Sequence, residues 1–266
     1  MTAPNVMLLG SVGSGKTYSL RTLLAAGVEL FVIQTEPSEV LDDLPRDKVH
    51  INYIPAVPAD FAAMAATAKN INTMSYEFLT KSTDANRGKY QQMVKVINLC
   101  QDFIDGRTGE SFGDVTLWGE DRALVIDSLT GLSKMAMDLV VGGKPTKSMP
   151  DWGIAMDMIE RLIDTLATNC SCWFILTGHL EPERDEVAGT ITMMPATLGK
   201  KLPPKLPRYF SDVVHCTRRG TEFFWSTASG NVDTKARNLP ISDKLKPDFG
   251  QIKATWLQRK ETGAKG

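Results

Sequence analysis

Apolar runs carrying β-branched or aromatic residues recur along the chain: NVMLL at 5–9, VELFVIQ at 28–34, KVHINYI at 48–54, RALVID at 122–127 and CWFILTG at 172–178. Helical spacing fills the intervals. Leu20, Leu23 and Leu24 share one face, as do Ala155, Met158, Ile159, Leu162 and Leu166 between Asp151, the expected N-cap, and Asn169. Strands alternating with helices predict an α/β fold on a mainly parallel, doubly wound sheet. From 86 to 121 the pattern is less regular, with a helix expected near 88–105 and then the polar stretch DGRTGESFGD, and it reads as an insertion on the core. Beyond 188 come short strand-like pieces, TITMM, DVVHCT and TEFFWST, separated by Gly, Pro and Lys. They are expected to be antiparallel strands extending one sheet edge. KETGAKG at 260–266 reads as a flexible tail. The whole chain, 1–266, is expected to be a single domain.

Composition narrows the class. With 266 residues and 42% hydrophobic content there is material for a full core. The formal net charge of -1 argues against coating nucleic acid by bulk electrostatics, so any DNA contact has to be local. No apolar run approaches the ~20 residues that span a bilayer, and the first residues lead into a strand without a charged leader, so no membrane partner and a cytoplasmic location are expected. Cys170 and Cys172 invite a metal reading, but C-x-C lacks the C-x2-C spacing of zinc sites and no second pair follows. With Cys100 and Cys216 they read as small core residues.

The chemistry concentrates in GSVGSGKT at 10–17, the outline G-x-x-x-x-G-K-[ST], set between a strand and an amphipathic helix. Gly10, Ser11, Val12, Gly13, Ser14 and Gly15 are expected to turn the backbone around an oxyanion, with Lys16, Thr17 and the adjoining Tyr18 completing a nucleotide site. Lys16 would reach the β and γ phosphates of ATP, and the Thr17 hydroxyl would bind Mg²⁺. A partner carboxylate is required for the metal. Asp127, ending the strand ALVID, is the candidate. Glu36, ending the strand LFVIQT, faces the same sheet edge and is a candidate general base for the attacking water.

This order of features resembles the RecA-like P-loop ATPase core: the glycine loop, Glu36 after the second strand, VIDS with Asp127 and Ser128, then LTGLSK, a long helix, and a strand ending in Thr177, Gly178 and His179. Within that family the chain is similar to compact single-domain phage proteins of the AAA type, described as nucleotide-binding or single-strand annealing proteins. The resemblance implies an ATPase of phage DNA recombination, in the host cytoplasm, that binds single-stranded DNA and promotes annealing or exchange. His179 would sense the γ-phosphate where recombinases commonly present glutamine. DNA would meet loops near 141–150 and 181–203 through Lys144, Lys147, Arg184, Lys200 and Lys201. Lys235 and Arg237 match a K-x-R pattern that reaches a neighbouring subunit's γ-phosphate, which implies a homo-oligomer, a ring or a short filament. A single-strand-binding protein is a further expected partner. Two other readings use the same residues: a ring-forming DNA motor, and a nucleotide-gated scaffold with little turnover.

Overall fold

The computed structural model describes residues 2–58, 60–81, 87–144, 146–184 and 189–263. The strands are β1 (Asn5–Leu9), β2 (Glu29–Gln34), β3 (Val49–Tyr53), β4 (Arg122–Asp127), β5 (Trp173–Gly178), β6 (Leu180–Arg184), β7 (Ile191–Pro195), β8 (Asp212–Arg219), β9 (Glu222–Ser226) and β10 (Lys235–Ala236). The helices are α1 (Lys16–Ser19), α2 (Arg21–Ala25), α3 (Phe61–Thr73), α4 (Tyr76–Lys81), α5 (Gln92–Gln101), α6 (Leu129–Val141), α7 (Met149–Asn169) and α8 (Phe249–Gly263). The main sheet runs β10-β8-β1-β5-β4-β2-β3. Its pairings from β8 through β3 are all parallel.

Parallel strands covered by helices on both sides bury both sets of side chains, which is why β1, β2, β4 and β5 read as unbroken apolar runs. The two-residue pleat divides them between two cores. Met7, Leu9, Phe31, Ile33, Leu124, Ile126, Phe174 and Leu176 pack under α5, α6 and α7. Val6, Leu8, Leu30, Val32, Val125, Trp173 and Ile175 pack with Leu20, Leu23, Phe249, Ile252 and Trp256 of the opposite helical layer.

The antiparallel edge is built around β8. β9 pairs antiparallel with residues 215–219 of β8, and β10 pairs with residues 212–213. β8 itself runs parallel to β1. TITMM lies elsewhere, in a separate antiparallel ribbon of β6 and β7.

Several boundaries differ from the sequence expectation. α7 begins earlier: Ser148 is its N-cap, and Asp151 sits at the third helical position, completing a capping box with a 2.7 Å bond from the Ser148 amide. Of the expected face, Ala155, Ile159 and Leu166 are buried with Ile163, while Met158 and Leu162 pack at the margin. The helix expected at 88–105 is α5, which stops at Gln101. Buried Phe103 instead pairs with Phe112 and Gly113 across a tight turn, and the Asp105 carboxylate accepts the Arg107 amide at 2.7 Å and faces His50 Nδ1 at 3.1 Å. DGRTGESFGD is thus tied to β3, not loose. The expected tail begins as the last turn of α8, whose Lys260 pairs with Glu120. Residues 264–266 lie outside the described residues, as do residue 86 of the insertion, Pro145 of the first expected DNA loop and residues 185–188 of the second.

Candidate functional site

β5 lies between β1 and β4, so the carboxyl ends of three strands and the loop after β2 open into one crevice. The glycine loop leaves β1 at Leu9 and enters α1 at Lys16. Gly15 caps that helix at φ 86°, a left-handed conformation that favours glycine, and a Cβ there would stand 2.7 Å from the Phe223 ring of β9. The Ser14 hydroxyl is buried with no hydrogen-bond partner among the described residues. A buried polar atom left open inside such a loop fits a site built for an anion.

Lys16 is 6% exposed, and its Nζ donates to the carbonyls of Gly10 and Ser11 at 2.8 Å each. Burial pushes its pKa below the ordinary lysine value, with the Asp127 and Glu36 carboxylates pulling the other way. The Thr17 hydroxyl donates to Asp127 Oδ2 at 2.8 Å, and Thr177 donates to Asp127 Oδ1. A hydroxyl and a carboxylate side by side form the hard oxygen donor set that suits Mg²⁺.

His179 stands between the two ends of the crevice. Its Nδ1 is 3.4 Å from Lys16 Nζ, and its Nε2 is 3.4 Å from Glu36 Oε2. Glu36 is held from behind, where Gln34 Nε2 donates to the carbonyls of Glu36 and Ser38 at 2.9 Å each. Lys16, Thr17, Asp127, His179 and Glu36 therefore converge, although they come from four separate stretches of chain. Tyr18 lies half-exposed beside the loop, stacked on Phe223 at 5.9 Å and under the Arg21 guanidinium at 4.1 Å. Val12 and Ser11 are exposed at the loop's tip.

Sequence reasoning passed over three supporting residues. Thr177 was legible only as part of a strand end. Thr35 receives the Ser128 amide at 2.8 Å and donates to the Ser128 carbonyl at 3.0 Å, fixing the turn between Asp127 and α6. Phe223 carries no local signal, because its partner lies some two hundred residues away in the chain. The turn at Ser128 also admits only glycine at the third residue of α6. A Cβ on Gly131 would come 2.2 Å from Thr35 Oγ1 and 3.0 Å from the Thr35 carbonyl oxygen. Gly131→Ala is expected to destabilise the protein by about 1–3 kcal/mol through this overpacking. Thermal unfolding checks it, and an unchanged melting temperature would refute the contact.

The remaining candidates lie outside the crevice. Lys235 pairs opposite Val213 on the outer edge of β8, a level corresponding to Met7 of β1 and so below the glycine loop. Arg237 follows toward the amino-terminal side of the sheet, and both side chains are exposed. Arg184 is exposed at the end of β6, Lys201 is exposed, and Lys200 pairs with Glu183 at 2.8 Å. Lys147 lies 5.5 Å from the Trp152 ring, and the Lys144 amide bonds the Val141 carbonyl at 3.4 Å. Of these cations, Arg184 on the β6–β7 ribbon and Lys200 and Lys201 beyond it are linked to the crevice through main chain, since the His179 carbonyl accepts the Ala196 amide at 2.8 Å at the root of that ribbon.

All four cysteines are buried and free, and no cluster of three potential metal-ligating side chains occurs among the described residues. Cys100 and Cys216 have thiol pKa values pushed up to about 12 by burial, as core cysteines should. No helix among the described residues is long and apolar enough to cross a membrane.

No curated protein matches the chain. Among solved structures it is similar to a prototypical ATPase from the type III secretion system of pathogenic bacteria, at 12% identity and a TM-score of 0.44 over 98% of this chain. The chain spans 65% of the length of that ATPase. The family described as AAA domain matches residues 2–239, which takes in the glycine loop, both crevice carboxylates and the β5 end. The chain belongs to the AAA domain family of P-loop nucleotide-binding ATPases.

Proposed function

We propose that this AAA-type domain hydrolyses ATP with Mg²⁺ and uses the cycle to hold and release single-stranded DNA in phage recombination, promoting annealing or exchange. The observation that carries this reading is the placement of His179. Its ring meets both Lys16 and Glu36, while its carbonyl roots the ribbon that carries Arg184 and leads to Lys200 and Lys201.

In this reading Lys16 neutralises the terminal phosphates, and Glu36 accepts a proton from the attacking water. Thr17 and Asp127 would hold Mg²⁺, which when bound supplies positive charge against the phosphate oxygens. Thr177 keeps Asp127 turned toward Thr17. His179 reports the terminal phosphate to the ribbon by moving its own backbone. Lys235 and Arg237, on the sheet's outer edge, act on a neighbouring copy's nucleotide in a homo-oligomer, and a single-strand-binding protein supplies the DNA.

A titration of single-stranded DNA with and without a non-hydrolysable ATP analogue tests the coupling. Binding should tighten at least about tenfold with the analogue, and Lys16→Ala should abolish that gain. A Lys200/Lys201 double alanine variant should weaken binding and flatten its salt dependence by about 0.7 per lost phosphate contact. Nucleotide-independent binding, unchanged in both variants, would overturn the proposal.

The nucleotide-gated scaffold is favoured by a different observation. Glu181 on the ribbon is exposed and Glu183 neutralises Lys200, a surface better suited to a protein than to a phosphate backbone. A scaffold would show neither appreciable turnover nor stimulation by DNA.

A further inference from the structure

Glu36 rides on a loop of unfavourable charge. Residues 36–44, EPSEVLDDL, carry the acids Glu36, Glu39, Asp42 and Asp43 and no base. Like charges this close in the chain repel one another, so such a loop keeps one shape best when a cation from elsewhere is set against it. Arg21, the first residue of α2, meets its far half. Arg21 Nη1 donates to Asp43 Oδ2 and Nη2 to Asp43 Oδ1, both at 3.2 Å, and Nη2 also donates to the Val40 carbonyl at 2.9 Å. These acceptors flank Leu41, which is buried in the same core as Leu20 and Leu23. The near half is held from β2, where Gln34 Nε2 donates to the Glu36 and Ser38 carbonyls. The loop is thus clamped at two points, with the Glu36 carboxylate toward His179.

An exposed ion pair alone would be a weak clamp. Arg21 is better fixed than that. Its side chain is 23% exposed against 64% for Asp43, the pairing is bidentate, and the guanidinium carbon lies 4.1 Å from the centre of the Tyr18 ring. Tyr18 in turn stacks on Phe223, and Phe223 fills the space beside Gly15 that a Cβ would need. A continuous pile of side chains therefore joins the glycine loop to the loop that carries Glu36.

We propose that Arg21 is a positioning residue for hydrolysis: by holding Val40 and Asp43 it fixes the loop that presents Glu36 to the attacking water, and through Tyr18 it ties that loop to the glycine loop. The inference rests on Glu36 as the general base. A lysine cannot replace Arg21, since an ammonium has no planar fork with which to hold two acceptors and lie against a ring.

Single-turnover ATP hydrolysis by the full chain, in wild-type and Glu36→Gln backgrounds, tests it. In the wild-type background Arg21→Ala and Arg21→Lys should each lower the rate about tenfold to a hundredfold, the scale of a misplaced catalytic group, while affinity for a non-hydrolysable ATP analogue stays within about threefold. Asp43→Ala, at an exposed side chain, should lower the rate by a smaller factor because the Val40 carbonyl still holds the guanidinium, and added to Arg21→Ala it should cost nothing more. In the Glu36→Gln background Arg21→Ala should leave the remaining rate unchanged, since a residue that acts through Glu36 has nothing left to position. A damaged fold would lower the rate in both backgrounds. If Glu36→Gln alone slows hydrolysis by less than about tenfold, Glu36 is not the base and the positioning role falls with it. If Glu36→Gln has its full effect, three results would each overturn the role of Arg21 and leave Glu36 in place: Arg21→Ala keeping the wild-type rate, weakening nucleotide binding in proportion to the rate loss, or slowing the Glu36→Gln protein further.

Discussion

Glu36→Gln should lower the ATPase rate about a thousandfold, within the 10²–10⁴ range ascribed to a positioned general base, while ATP affinity stays within about threefold. Glutamine keeps the shape of the side chain and its contact with His179 but cannot take up a proton at neutral pH. The separation of rate from affinity is the informative part. Glu36 contacts His179 at 3.4 Å and belongs to a loop pinned by Gln34, so its removal leaves the Lys16 cradle intact. Single-turnover kinetics with a parallel binding titration reads both quantities. A rate loss below about tenfold would remove Glu36 from the chemistry and leave the domain a nucleotide binder with another base.

Lys16→Ala should weaken ATP binding roughly 10²–10³-fold, the scale on which a buried charge partner contributes, and bring hydrolysis below detection. Lys16 is buried, and among the described residues its charged form is held by two carbonyls and the nearby His179, Asp127 and Glu36. An arriving triphosphate supplies a stronger counter-charge than these partners do. The rise in melting temperature that saturating ATP gives the wild type should therefore vanish in the variant. The nucleotide-free protein carries a second signature. Burial depresses the Lys16 pKa below 10.5, so between the depressed value and 10.5 the unfolded chain binds more protons than the folded one. Through this residue stability rises with pH across that interval, and Lys16→Ala should flatten the rise. A variant whose melting temperature still climbs with ATP would contradict the assignment of Lys16 to the phosphates.

The core was legible in the sequence where burial is two-sided. β1, β2, β4 and β5 are apolar on both faces, so no alternation had to be deciphered, and a strand end carrying Asp127 or His179 could be placed at the crevice from order alone. Helix ends were harder. Ser148 and Asp151 both have capping chemistry, and only the bond from the Ser148 amide to Asp151 shows which one opens α7. α8 was missed because only Phe249, Ile252 and Trp256 are buried in it among polar residues, and only its last turn, from Lys260, was read at all, as tail. The turn at 103–113 was hidden for another reason: its polar residues pair with His50, an interaction that exists only after β3 is in the sheet. Thr177, Thr35 and Phe223 share that limit, since each acts on a residue far along the chain.

The strand order also dictates when the protein can become itself during synthesis. β1, the first of the strands to be made, has as its sheet neighbours among the described residues β5 at 173–178 and β8 from 212. At about 5–20 residues per second, the amino-terminal strand waits on the order of ten seconds or more for the segments that flank it. Until then NVMLL offers unpaired backbone N–H and C=O groups at both edges and apolar side chains on its faces to any passing chain, and the glycine loop that follows it has no fixed shape. Nascent chains stalled before residue 173 should therefore bind chaperone and fail to retain ATP, and those released past 219 should be the first able to do so.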